Sequence, residues 1–243
     1  MKLKKLNLAI ITALAGTNVA IAEEASPVTA NIGVVSNYMF RGVTQTDDGP
    51  AIQGGVDYAE SGFSLGTWVS NVDFNLGTAT EPKYEWDVYA GYGEKLDDFG
   101  YNVTLSYFAY PDGKDSDLAE VGASGSWDFL TLGLAYTFYG QATEPAAFRD
   151  GDLYYYGNLG FDLPVNFRLS GTLGYYNFND LDKDEGDYMH WQVSLSKSAG
   201  DFGTFSLNYD QNDGGTYVVD TKEYEVVAKD DDPKISIGWK KTF

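Results

Sequence analysis

From Thr29 to Phe243 the chain is patterned with a period of two. In Phe63–Val72, Phe63, Leu65 and Val69 alternate with Ser64, Gly66 and Ser70, the mark of a strand with one apolar face. Just before it, Ile52, Val56 and Tyr58 share one face, while Gln53, Gly55 and Asp57 share the other. Glu60-Ser61-Gly62 between them reads as a tight turn, with Gly free to take a positive φ. The unit then recurs to the last residue. Leu130, Leu132, Leu134, Tyr136 and Phe138 oppose Thr131, Gly133, Ala135 and Thr137, and Met189, Trp191, Val193 and Leu195 oppose His190, Gln192, Ser194 and Ser196. The alternation predicts strands over Thr29–Phe40, Pro50–Ala59, Phe63–Val72, Lys83–Gly93, Gly100–Ala109 and Leu118–Trp127. It predicts six more over Phe129–Tyr139, Asp152–Phe161, Asn166–Tyr176, Tyr188–Lys197, Phe202–Tyr209 and Pro233–Phe243. The sixth, filled by Ala and Gly, carries the faintest pattern.

The connections alternate as well. Odd strands run into long polar stretches, Arg41–Gly49, Asp73–Pro82, Tyr110–Asp117, Gly140–Gly151, Asn177–Asp187 and Asp210–Asp232. Even strands run into short turns near Glu60, Leu96, Asp128, Pro164 and Gly200. With an even strand count, both termini fall on the short-turn side, the layout of an outer-membrane barrel with periplasmic turns and extracellular loops. Strands of about ten residues match a tilted membrane span. Lipid forbids open sheet edges, so the sheet must close. A secreted β-sandwich also alternates, but it does not sort its loops by length or gather aromatics at strand ends. Tyr38, Phe40, Tyr84, Tyr107, Tyr175, Tyr209, Trp239 and Phe243 are placed as an interfacial girdle would be. The expected fold is all-β: a closed antiparallel transmembrane barrel of about twelve strands.

Composition sharpens the picture in three places. Residues 1–22 read as a cleaved signal peptide, leaving the barrel domain over 23–243. Lys2, Lys4 and Lys5 lead an apolar stretch, Leu6–Leu14, which ends in the small-x-small site Ala20-Ile21-Ala22. The formal charge of −20 becomes more negative when those lysines leave, and most of the excess acid lies in the long connections. Such a polyanion excludes nucleic acid as a partner. The chain has no Cys, so disulfides do not hold it together, although export opens an oxidising compartment to it.

The stretch VSNYMFRGVTQTDDGPAIQGGVDYAESGFSLGTWVSNVDF, Val35–Phe74, resembles the opening of the TorF family of porins. The SNYMFRG, QGGVDY and SGF…WVSNV blocks carry the resemblance together. It implies a Gram-negative outer-membrane β-barrel across the whole mature chain. The terminal ISIGWKKTF resembles the assembly signal of outer-membrane proteins, with Phe243 as the final aromatic and Trp239, Ile237 and Ile235 on its face. Lys241 departs from that pattern. The partners so implied are outer-membrane lipid and lipopolysaccharide, the outer-membrane assembly machinery at the strand ending in Phe243, and a small solute.

If the apolar face meets lipid, the other lines the lumen. The charged candidates there are Arg41, Asp57, Glu85, Asp87, Glu120, Arg168, His190, Lys234 and Lys240. Opposite charges across a narrow lumen can seal it or leave a constricted, selective path. His190, the only His, shares a face with Ser194 and Ser196, but the nearer shared-face Ser lies roughly 13 Å along the strand. No nucleophile–base pair is therefore built by spacing, and no catalysis is expected. The acidic run Asp180–Asp187 fails the calcium-loop pattern, with Gly seventh instead of sixth and Trp191 where a Glu belongs. No metal or cofactor is expected. Two functions remain open: a channel for small hydrophilic solutes in the outer membrane, or a non-conducting barrel with a structural, surface-binding or adhesion role through its acidic loops. Asp210–Asp232, the longest loop, is the candidate plug for the second.

Overall fold

The structure, a computed structural model, describes residues 26–74, 81–142, 147–179, 186–214 and 231–243, with the backbone of four short strands besides. Two of these, Ala9–Ile11 and Asn18–Ala20, pair with each other. The rest of the predicted signal peptide lies outside the described residues, as does most of the acidic run Asp180–Asp187.

Twelve antiparallel strands close into one barrel. They are β1 (Val28–Val35), β2 (Ala51–Glu60), β3 (Phe63–Asn71), β4 (Tyr84–Leu96), β5 (Phe99–Ala109) and β6 (Leu118–Trp127). There follow β7 (Leu130–Gly140), β8 (Leu153–Leu163), β9 (Phe167–Asn177), β10 (Tyr188–Ser198), β11 (Thr204–Asn212) and β12 (Lys234–Thr242). Each pairs with its neighbours in sequence, and β12 closes on β1 from Gly238↔Val35 to Thr242↔Asn31. Beyond that register the Phe243 amide donates to the Ala30 carbonyl at 2.8 Å, so the last residue completes the seam. Short hairpins gather at the end that holds this seam. In the first, Ser61 and Gly62 both take positive φ, as a two-residue turn between twisted strands requires.

The alternation read from sequence sorts inside from outside. In β4, Glu85, Asp87 and Tyr89 are buried, while Tyr84, Trp86 and Val88 are exposed. Ile52, Val56, Leu65, Val69, Leu105, Leu134, Leu173, Val193 and Ile237 make the outer wall apolar. Phenylalanine and tryptophan ring the short-turn end, at Phe63, Phe99, Trp127, Phe161, Phe205 and Phe243. Tyrosines ring the long-loop end, and two of their hydroxyls donate to loop acids: Tyr107 to Asp117 at 2.6 Å and Tyr175 to Asp187 at 2.7 Å. Such rings suit an interface, with an apolar body and a polar tip. Lys241, the departure in the terminal strand, lays its ammonium 5.0 Å from the Phe243 ring centre. Its stem can cover apolar surface while its charge reaches water.

Three sequence expectations need correction. β1 ends at Val35, not Phe40, because the chain there leaves the wall and turns into the lumen. Tyr38 and Phe40 accordingly belong to the interior, not to the girdle. β11 extends to Asn212, which shortens the last long connection; within it Tyr217–Thr221 and Tyr224–Ala228 pair as a hairpin. The side chains of 215–230, where the plug was expected, lie outside the described residues.

The in/out register has a direct test. Leu134, exposed at mid-strand on β7, should cost roughly 2–4 kcal/mol when changed to Arg. Thr131→Arg, on the inner face of the same strand, should leave folding nearly intact. Urea titrations in lipid vesicles would compare them; equal losses would refute the in/out assignment, and a larger loss from Thr131→Arg would mean the faces are reversed.

Candidate functional site: a hairpin folded into the lumen

The segment after β1 does not stay at the rim. Met39–Phe40 pairs with Val43–Thr44, and Arg41-Gly42 makes the two-residue turn between them. Both turn residues have positive φ, 48° and 82°, a conformation that Gly adopts freely and Arg does not. Below the tip a polar knot holds the hairpin in shape. The Thr44 hydroxyl donates to Asn37 Oδ1 at 2.7 Å, Asn37 Nδ2 donates to Asp48 Oδ1 at 2.7 Å, and the Gln45 amide donates to the Tyr38 carbonyl at 2.7 Å. Lys234 Nζ on β12 meets Asp48 Oδ2 at 2.6 Å, and the Asp73 amide donates to the Gln45 carbonyl at 2.8 Å.

The tip crosses to the far wall. Arg41 Nη1 and Nη2 donate to Glu120 Oε1 and Oε2 at 2.8 and 2.6 Å, a two-pronged ion pair with β6. Arg41 Nη1 also donates to the Tyr176 hydroxyl at 3.1 Å, and the guanidinium lies 4.2 Å from the Tyr154 ring centre. Asn212 Nδ2 on β11 donates to the Gly42 carbonyl at 2.8 Å. One turn thus touches β6, β8, β9 and β11. Gly42 is required here twice over, by its φ and by space: a Cβ would lie 2.4 Å from that of His190. Glu120 is aimed by an irregularity, since the β6–β7 register shifts between Ala119 and Glu120. Burial works against the Arg41 charge, but Glu120 outweighs it and holds the guanidinium above the ordinary arginine value. The tip stays cationic. Burial, followed by the Glu85 and Asp87 carboxylates, raises the Tyr38 phenol on the same hairpin.

Around the hairpin the long-loop half of the lumen is an aromatic core. Tyr38, Trp68, Tyr89, Phe108 and Tyr110 pack on one side, and Tyr154, Tyr176, Phe178 and Tyr188 on the other, with Phe40, Val43 and Phe148 filling in. Glu85 takes hydrogen bonds from the Tyr38 and Tyr110 hydroxyls at 3.3 and 3.2 Å, and Asp87 stands next to it on β4. The short-turn half is polar instead. Thr172 donates to Asn158 and Ser194 to Asn208, each at 2.6 Å; nearer the hairpin, Gln192 Nε2 donates to Asp210 at 2.7 Å.

The structure brings some of the sequence candidates together and leaves others apart. Arg41 and Glu120 form the pair just described, and Glu85 and Asp87 sit beside them. Asp57 accepts from the Tyr89 hydroxyl lower in the barrel, and Lys240 is close enough to feel its charge. His190 Nε2 lies 2.9 Å from the Tyr154 hydroxyl, the space for its ring kept by Gly174. Lys234 belongs to the base of the hairpin. Arg168 pairs with Asp162 at 2.6 Å, half-exposed at the short-turn rim and away from the rest. The charged candidates chosen from sequence did not include Tyr110, Tyr176, Phe178, Tyr188, Asp210 or Asn212. Neighbouring aromatics marked one of them, Tyr176, and the same half of the lumen elsewhere. Tyr154-Tyr155-Tyr156, Tyr175-Tyr176 and Tyr107-Phe108 break the alternation at the loop end of their strands, which is what an apolar lumen produces.

A closed barrel, apolar outside and charged within, is the architecture of porins. Solved porins have this fold. The KdgM porin matches with a TM-score of 0.54 at 13% identity, covering 88% of this chain and 99% of that one. A KdgM porin in complex with disordered oligogalacturonate matches at 0.55 and 12%, covering 89% and 98%. The NanC porin matches at 0.53 and 14%, covering 88% and 98%. A search of curated proteins gave no match. The chain belongs to a family described as "Bacterial protein of unknown function (Gcw_chp)", whose model matches residues 20–243.

Crowding at the hairpin tip predicts a local phenotype. Gly42→Val should dislodge the turn, since a left-handed non-Gly residue alone costs about 1–2 kcal/mol. Trypsin should then cut after Arg41 at least about tenfold faster, with the barrel's heat-dependent gel shift unchanged. Cleavage at the wild-type rate would show that the tip is not held in the lumen.

Proposed function

We propose that this protein is an outer-membrane channel for small hydrophilic solutes, with a preference for cations. The carrying observation is the wall itself: an apolar outer face around an interior that collects charged and polar side chains, Asp57, Glu85, Asp87, Glu120 and Asp210 among them. The resemblance of Val35–Phe74 to the TorF porins supports the same reading. The segment 1–22 as an export signal, the outer membrane as location, lipid and lipopolysaccharide against the outer wall, and the assembly machinery at β12 and Phe243 follow from it. The role is passage and not catalysis, in keeping with a His190 ring that meets Tyr154 and a Ser194 hydroxyl that is bonded to Asn208.

Charge supports the cation preference. The long connections carry most of the acid, and Asp57, Glu85, Asp87, Glu120 and Asp210 face inward. Arg41, the base deepest among them, is matched by Glu120. Fixed negative charge raises the local cation concentration within a Debye length, ~8 Å at physiological salt. Oligogalacturonate, the ligand of the KdgM complex, is a polyanion, and this interior would repel it. The fold is shared; the cargo need not be.

A second reading keeps one observation in its favour. The hairpin and its aromatic bed fill much of the loop-side lumen, as they would in a barrel that serves through its acidic loops and does not conduct.

Purified protein in planar bilayers decides. Reversal potentials across a KCl gradient should show cation preference at low salt, fading as salt rises. An anion preference would refute the charge argument. Recovery as a soluble periplasmic protein, with no heat-dependent gel shift, would refute the membrane barrel.

A further inference from the structure

We propose that the Asn37–Asp48 hairpin is the constriction of this channel, and that the Arg41–Glu120 pair is the latch that sets how much of the lumen is open. The inference rests on the channel reading and deepens it. It also gives the SNYMFRG block a purpose, since Asn37 to Gly42 build the hairpin and its tip.

Three observations support it. First, the hairpin is not needed to close the barrel. Every wall strand already has two partners, and the hairpin adds none to the sheet. Its place in the lumen therefore has to be explained by what it does there. Second, beyond the packing of Tyr38, Phe40 and Val43 that would suffice for an inert plug, the tip is fixed by a buried ion pair. A buried ion pair is an expensive way to fill space, because apolar residues of similar volume usually stabilise as well or better. What such a pair supplies is a defined position that is lost when either partner changes. Arg41 is moreover held at a positive φ, so the turn carries local strain that the clamp offsets. Third, base and tip are held separately. Asn37, Thr44, Asp48 and Lys234 fix the base, whereas Arg41, Glu120, Tyr176 and Asn212 fix the tip across the lumen. Losing the tip contacts frees the turn and leaves its root in place.

The latch also ties aperture to charge. With Arg41 in place Glu120 is neutralised. With Arg41 withdrawn, Glu120 stands uncovered within electrostatic reach of Asp87, which has Glu85 beside it. An open lumen is thus both wider and more acidic at its narrowest level.

The test compares single-channel conductance of wild type, Arg41→Ala, Glu120→Gln, Arg41→Glu, the exchange Arg41→Glu with Glu120→Arg, and a chain whose residues 38–47 are replaced by a Gly-Ser linker. Each is measured after it shows the heat-dependent shift of a folded barrel. Glu120→Gln, nearly isosteric, stands in should Arg41→Ala fail to insert. The single changes and the linker chain should conduct at least about threefold more than wild type. The exchange should return conductance most of the way to the wild-type level. Wild-type conductance in the linker chain would overturn the constriction and leave the channel standing. A wide linker chain with unchanged single variants, or an exchange that does not restore the narrow state, would overturn the latch. Silence from every folded variant, the linker chain included, would overturn the channel reading itself and the constriction with it.

Discussion

The structure depends on one constraint: no backbone amide or carbonyl facing lipid can go without a partner. An antiparallel sheet satisfies every strand except the two at its edges, and the only remedy within a single sheet is to join them. Here that join is β12 on β1, with Phe243 reaching past the last paired residue to exchange hydrogen bonds with Ala30. Once the seam is closed, the pleat does the sorting. Successive side chains point outward and inward, so a sequence with period two becomes a cylinder with an apolar exterior and a polar interior.

Closure has a second consequence. Twelve strands enclose more space than the side chains of the wall fill at the loop end, so other chain can enter it. The Asn37–Asp48 hairpin takes that space and brings a cation. A charge in so dry a place is tolerable only with a partner, and β6 supplies Glu120, turned toward it by a register shift that breaks the regular ladder. The aromatic rings of β8 and β9 then face the guanidinium. The interior is divided by these choices into an aromatic, hairpin-filled half and a polar half of short hydroxyl and amide side chains.

The two ends of the barrel differ in their aromatic make-up. At the short-turn end phenylalanine and tryptophan predominate, with Tyr58 and Tyr92 donating to Glu60 and Glu94 beside the turns, and Arg168 and Lys241 lie near the rim. At the long-loop end tyrosines predominate, and Tyr107 and Tyr175 direct their hydroxyls at acids in the connections. The tyrosine ring thereby couples the lipid-facing wall to the loops above it, and Asp117 and Asp187 also accept backbone amides of those same connections.

The sequence by itself determined the strands, the sorting of the connections and the face on which each wall residue lies, because all three follow from local pattern. Glu85, Asp87 and Tyr89 could be placed inside from their parity with Trp86 and Val88 alone. Even the aromatic half of the lumen left a local trace, in the unbroken tyrosines of β8. Parity ends where the strand does, and the site begins there. Nothing around Tyr38–Arg41 distinguishes a strand that continues from one that turns inward, since alternation is satisfied either way. That Arg41 meets Glu120, 79 positions later, depends on the distance across a cylinder whose width is set by all twelve strands together. Only the closed tertiary structure decided it.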